Sequence, residues 1–172
     1  MVNITIEMIL KSHAEELLEF EKENKNFFEE NLLPRGERYY SLKNIEEILE
    51  EIVMEQKEGL CYMYLIRNES KEIVGRVNLS SIVGGPFQKA EVGYRIGKKY
   101  NGYGYATKAV KLVLQEAFDK YNLHRIEAGT SQSNIGSQIV LIKNGFEFVG
   151  RTRQVIKING EWQDGINFEK LK

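Results

Sequence analysis

Gly93-Tyr94-Arg95-Ile96-Gly97-Lys98-Lys99-Tyr100-Asn101-Gly102-Tyr103-Gly104-Tyr105-Ala106 is the stretch that decides the fold of this chain. It reads as a strand end, a glycine-spaced turn and the first turn of a helix. Gly102 and Gly104 permit positive φ and close backbone approach, which a β-carbon blocks. Downstream, Ala106, Ala109, Val110, Val113, Leu114, Ala117, Phe118 and Tyr121 form an unbroken i, i+3, i+4 stripe, which predicts one long helix. A helix that starts straight after a glycine turn aims free N–H groups and its positive dipole end outward, which suits a phosphate. Lys98, Lys99 and Lys108 add charge at the same place.

Two nucleotide signatures do not fit. A P-loop needs Lys-Ser/Thr after its last glycine, and Tyr105-Ala106 stands there. The dinucleotide fingerprint needs a third glycine where Thr107 stands.

Four motifs in order carry a resemblance. Lys99-Tyr100-Asn101-Gly102-Tyr103-Gly104-Tyr105-Ala106 resembles the Gln/Arg-x-x-Gly-x-Gly/Ala acyl-CoA loop of the GNAT N-acetyltransferases, with Lys99 in place of Gln or Arg. Asn134-Ile135-Gly136-Ser137 resembles the Asn-x-x-Ser of the ribosomal-protein alanine/serine (RimJ/RimL-like) branch. Lys143-Asn144-Gly145-Phe146 is similar to its Lys/Arg-x-Gly-Phe, and Asn159-Gly160-Glu161-Trp162-Gln163-Asp164 to its closing hairpin. The match is good from Glu91 to the last residue and holds only in outline before that.

The totals fit such a domain. The 172 residues are 42% hydrophobic and 28% charged, enough for one domain (1–172) with a proper core. No apolar run approaches the roughly 20 residues of a membrane span. The first residues alternate apolar with polar and include Glu7, unlike a signal peptide. Cys61 is the only cysteine, so no internal disulfide or zinc cluster forms, and its apolar run marks it as buried filler. A reducing cytoplasm is the simplest home. A net charge of −1 argues against nucleic-acid binding. The charge is uneven, with −7 over residues 1–57 and +6 over the rest. An acidic front and basic back suit a cationic acceptor and an anionic cofactor, or are simply solvated helix faces.

In chain order, Val2, Ile4, Ile6 and Met8 alternate as a first strand. Ser12-His13-Ala14-Glu15 reads as a capping box opening a helix to about Lys25, with His13 solvated. Residues 26–36 are a short helix or loop in which Phe27 and Phe28 are core, or border an acceptor pocket. Ser41 or Asn44 caps a helix with Ile45, Ile48, Leu49, Ile52 and Val53 on one face. Strands follow at 60–67, 72–81 and 90–96, and after the long helix at 124–130. Helix-to-strand order there implies a parallel crossover. Asn134 caps a helix bearing Ile135, Ile139 and Ile142, which Gly145 ends. Strands 146–158 and 161–171 flank Asn159-Gly160, a strong hairpin signal. The sum is an α/β (α+β) fold: a mixed, mostly antiparallel sheet of about seven strands with helices on both faces, which is also what the resemblance implies.

The resemblance implies acetyl-CoA as cosubstrate. Backbone N–H groups of Lys99, Gly102, Tyr103, Gly104, Tyr105, Ala106 and Thr107 would hold its pyrophosphate. Tyr94, Arg95 and Ile96 would meet the acyl oxygen and pantetheine amides, and Asn134 the cofactor arm. Many family members carry a tyrosine acid four residues before the glycine of Gly-Phe. Here Leu141 stands there and donates no proton. In the ribosomal-protein branch the serine of Asn-x-x-Ser takes the task, which matches Ser137. The plainer reading of Ser137 is a first-turn serine bonding nearby backbone. Glu91 is the base expected, through water; its alternative is a strand charge facing solvent.

A lysine-like amine, with a pKa of about 10.4, is costly to deprotonate, whereas an α-amine at about 7.7–8.0 is partly neutral already. A weak base therefore suits a protein N-terminus or an amino acid as acceptor. The expected function is transfer of acetyl to a protein N-terminal α-amine by direct attack. A polyamine or amino-acid acetyltransferase is the alternative within the class. An acyl-CoA-binding sensor without turnover is the alternative outside it. Trp162 is expected to pack on the sheet. No metal site is expected, since His124 and Arg125 have no ligand partners in spacing. Neither nucleic acid nor membrane is expected as a partner, and a homodimer is compatible with the sequence.

Overall fold

The sheet is built around β4 (Lys89–Ile96), which feeds the glycine turn and α4 (Tyr105–Gln115). The computed structural model describes residues 2–31, 34–158 and 160–172. Before β4 come β1 (Thr5–Met8), α1 (Ala14–Glu23), α2 (Lys25–Asn31), α3 (Leu42–Glu58), β2 (Tyr62–Arg67) and β3 (Ile73–Val83). After α4 come β5 (Arg125–Ser131), α5 (Ile135–Lys143), β6 (Glu147–Ile158) and β7 (Glu161–Leu171). The seven strands form one sheet in the order β1-β2-β3-β4-β5-β7-β6. Only β4 and β5 run parallel, because α4 carries the chain back to the starting end of the sheet.

Alternation along the strands makes two cores. Tyr64, Ile66, Val77, Leu79, Val92 and Ile96 face α4, whose Ala109, Val110 and Val113 are fully buried. Leu65 faces the other way, under Leu17 of α1 and Ile45 and Leu49 of α3. Fully burying each such side chain contributes about 1.5–3 kcal/mol. The α3 cap forms as read: Ser41 accepts from the Asn44 N–H at 3.3 Å, and Gly59 takes φ +73° past the last turn.

Several local expectations are corrected. Ser12 does not cap α1. A short 3-10 turn, Lys11–His13, comes first, and His13 takes the N-cap position of α1. His13 is buried rather than solvated, and its Nδ1 accepts from the Leu10 N–H at 3.1 Å. The long helix is α-helical only to Gln115. Residues Glu116–Lys120 make a wider π turn, which ends with Tyr121 stacked on Tyr62 at 3.6 Å between ring centroids. Cys61 is half-buried; desolvation and then Glu55 push its thiol up to about 12, so it stays a neutral thiol. Trp162 is 59% exposed instead of packed on the sheet.

The apolar stripe of α5 faces outward. Ile135, Ile139 and Ile142 are 57%, 47% and 60% exposed, and the buried residue is Leu141. The Asn134 cap and the packing of Leu141 against the α4 core set this rotation. Gly145 ends α5 with φ +77°. In the hairpin, Ile158 pairs with Glu161 and Gly160 has φ +85°. Its Asn159 lies outside the described residues, as do Leu32 and Leu33 of the short segment after α2.

Candidate active site

Pairing between β4 and β5 stops early. Lys89, Ala90 and Glu91 pair with Arg125, Ile126 and Glu127, and there the ladder ends. Beyond Glu91, β4 keeps β3 on one side only, and β5 beyond Glu127 keeps β7. The two strands therefore part into a gap whose walls are main chain. A strand edge freed inside a sheet carries polar groups that need a partner.

The glycine turn closes the wide end of that gap. Gly102 and Gly104 have φ +83° and +90°, and a β-carbon on either would meet open space, the space of the cleft itself. None of the N–H groups of residues 102–107 has a partner among the described residues; the first to bond back is that of Lys108, to the Gly104 carbonyl at 3.1 Å. The positive end of α4 is thus preceded and opened by six amides without a hydrogen-bond partner among the described residues. Asn24, just after α1, fixes the turn from below: its Oδ1 accepts from the Lys98 N–H at 2.8 Å. Asn101 ties the turn to the Ile96 and Gly97 carbonyls at 3.1 and 3.0 Å.

A cleft of about 510 Å³ runs from this turn past the end of β4 to α2. Tyr94, Arg95, Ile96, Gly102, Gly104, Tyr105, Ala106, Thr107, Asn134 and Ser137 line it. Lys99 and Tyr103 do not; both are exposed, and the Lys99 ammonium lies over the Tyr100 ring at 4.9 Å. Lys143, on the last turn of α5, is the cationic side chain that does line the cleft with Arg95. Phe28 is both core and cleft wall, and Phe27 lines the cleft beside it.

Asn134 caps α5 by accepting from the Ser137 N–H at 3.0 Å. That leaves the Ser137 hydroxyl free to meet the Tyr94 hydroxyl at 2.8 Å. Burial pushes the Tyr94 phenol up to about 12, so it is a neutral proton donor near neutral pH. The side chain of Tyr94 went unread in the sequence, where only its backbone had a role. Leu141 is core and reaches no part of the cleft.

Glu91 is exposed and lies outside this cleft, in a shallow depression with Arg125, Glu127 and Glu169. It is nevertheless the last β4 residue paired to β5, at the vertex of the gap. Its side chain shares the sheet face of Arg95, opposite Tyr94. Among the described residues no group of three His, Cys, Asp or Glu side chains is arranged to hold a metal, and no helix is long and apolar enough to cross a membrane.

The chain with this cleft matches a known domain. The acetyltransferase (GNAT) domain model matches residues 3–147. This chain belongs to the GNAT acetyltransferase family. The probable N-acetyltransferase YjcK of Bacillus subtilis is 39% identical over 155 residues, covering 88% of this chain and 84% of that protein. The [ribosomal protein uS5]-alanine N-acetyltransferase of Escherichia coli is 27% identical over 164 residues, covering 95% and 84%. The crystal structure of the ribosomal-protein-S5-alanine acetyltransferase of Vibrio fischeri superposes with a TM-score of 0.93 at 27% identity, over 98% of this chain and 92% of that one. The resemblance to the GNAT family and the seven-stranded fold therefore stand, and the chain is an N-acetyltransferase of that family.

Proposed function

We propose that this acetyltransferase uses acetyl-CoA to acetylate a protein N-terminal α-amine; a relative is named as an N-acetyltransferase of an alanine of ribosomal protein uS5. The observation that carries the reading is the strand gap with the six bare amides of residues 102–107 at its wide end. Those amides and the α4 dipole suit a diphosphate. The β4 backbone at Tyr94 and Ile96, turned away from β3 into the gap, suits the pantetheine amides and the acyl oxygen, whose developing charge needs donors, whereas the backbone of Arg95 faces β3. Asn134 borders the pantetheine arm.

The acceptor amine attacks the thioester carbonyl directly. A C–N bond forms, the C–S bond breaks, and the sulfur leaves as thiolate. Ser137, with the neutral phenol of Tyr94 behind it, donates a hydrogen bond to that sulfur. The amine's proton leaves toward Glu91 through water. An α-amine, partly neutral already, asks little of such an exposed carboxylate.

Thiol release from acetyl-CoA is measured with N-terminal peptides, free amino acids and spermidine. Saturable turnover with peptides is expected. Turnover on spermidine alone overturns the acceptor reading. CoA binding without turnover on any amine overturns the enzymatic one.

A further inference from the structure

Arg95 brings a group to the cleft that the chemistry above does not use. In the β3–β4 register it stands opposite Arg76, and two residues on the Gly97 N–H bonds the Val74 carbonyl at 2.9 Å, so the main chain of Arg95 faces β3. What Arg95 adds to the cleft wall is therefore its side chain. That side chain lies on the sheet face covered by α1 and α2, opposite Tyr94, and is 16% exposed.

Two contacts hold it. Glu21, fully buried on α1, accepts from Arg95 Nη1 on Oε2 at 3.2 Å. The Phe28 ring lies against the guanidinium, with Cζ 4.8 Å from the ring centroid, and Phe28 lines the cleft as well. Arg76, the second member of this arginine cluster, has its Nε 3.2 Å from Glu21 Oε1, an ion pair without hydrogen-bond geometry, and is buried outside the cleft. A guanidinium carries five N–H donors and no acceptor. Among the described residues Arg95 spends its side-chain donors on Glu21 alone. Burial, and then Arg76, lower its guanidinium to about 10, so it stays charged at neutral pH. A charged donor with unspent N–H groups in a cleft wall calls for an oxygen.

We propose that the Arg95 side chain selects the acceptor by donating to the carbonyl oxygen of its first residue, next to the carbon that bears the reacting amine. The proposal rests on the acceptor reading above and deepens it. In that reading the amine's proton leaves toward Glu91, which shares the sheet face of Arg95, so the acceptor lies on this face, while Tyr94 and Ser137 serve the sulfur from the other. Every peptide N-terminus offers such a carbonyl beside its amine. A polyamine offers none.

The test compares kcat/KM, per neutral amine, for an amidated Ala-Ala-Ala peptide and for its analogue with an (E)-alkene in place of the first peptide unit, with spermidine as control. The two have the same shape, and only the peptide offers the oxygen. Wild type is expected to favour the peptide by about tenfold, the range of one charged hydrogen bond. In Arg95→Met the preference should vanish. Methionine keeps an apolar stem against Phe28 and leaves Glu21 with Arg76 as its partner. Any disturbance of β4 lowers the rates on both substrates alike, so their ratio reads the bond itself. Should Arg95→Met not fold, Arg95→Lys carries the test: it keeps a charge for Glu21 on a shorter stem without the planar fork, and the preference should fall there too. Equal rates on peptide and analogue in wild type, or an undiminished preference in the variant, overturn the role of Arg95 and leave N-terminal acetylation standing. Turnover on spermidine alone, or on none of these amines, overturns both.

Discussion

The Tyr94 hydroxyl lies 2.8 Å from the Ser137 hydroxyl, joining the end of β4 to the first turn of α5 across the cleft. The phenol also reaches the Ser137 carbonyl at 3.2 Å. The two oxygens share one chain of protons, so they act as a unit. Ser137→Ala and Tyr94→Phe should each lower kcat by about 10²-fold, at the low end of acid–base contributions. The KM for acetyl-CoA should move far less. The double variant should be little worse than Ser137→Ala, because removing one link already breaks the chain. Equal losses in CoA affinity and turnover would contradict the role.

The same phenol makes an alkaline prediction. Burial holds Tyr94 protonated up to about 12 in the folded state, against about 10 for a free tyrosine. Between those values the unfolded chain loses a proton that the folded one keeps, so stability falls as pH rises. Tyr40, raised to about 12 by burial and by Glu29, adds to the same fall. Chemical denaturation at pH 9 and pH 11 should show the loss. Tyr94→Phe should make it smaller; an identical loss in that variant would mean that the phenol is not held neutral.

How much of this was readable is uneven. The α4 stripe and the Gly102/Gly104 turn are local patterns of period and φ, and they are found where they were expected. The Tyr94–Ser137 bond joins residues 43 apart, and no local pattern encodes it. The α5 stripe of isoleucines shows the limit of periodicity. It marks one helix face but not which way that face points, and the Leu141 contact with α4 decided it. Glu21 reads as one more acid on an acidic helix. Only the β3–β4 register, by pairing Arg76 with Arg95, makes it the shared counter-ion.

Gly104 should matter for binding more than for folding. A β-carbon there meets no neighbour, so the penalty of Gly104→Val comes from φ +90° and from the space it takes from a ligand. A residue strained in this region costs about 1–3 kcal/mol. Calorimetric titration should show CoA affinity falling at least about tenfold, with the fold retained by circular dichroism. Unchanged affinity would remove the loop from the cofactor site.

Glu91 sits at the vertex of the strand gap, exposed and on the opposite sheet face from Tyr94. If it takes the amine proton, Glu91→Gln should lower kcat/KM and flatten the acidic limb of the pH–rate profile. The acceptor's own titration would then be the only limb left. Persistence of the wild-type acidic limb in the variant would assign the proton to another group, or to bulk water.

Glu21→Gln is the sharpest test of the arginine cluster. The substitution keeps the volume and removes the only carboxylate that pairs with Arg76 and Arg95 among the described residues. Breaking a buried ion pair from one side costs about 3–5 kcal/mol, because the remaining charge stays buried and unpaired. At this chain length that is a fall in Tm of roughly 6–20 °C. The loss is electrostatic, so Glu21→Gln combined with Arg76→Met should recover part of it, by removing one of the stranded charges. A single variant as stable as wild type would mean that water or another group already compensates the arginines.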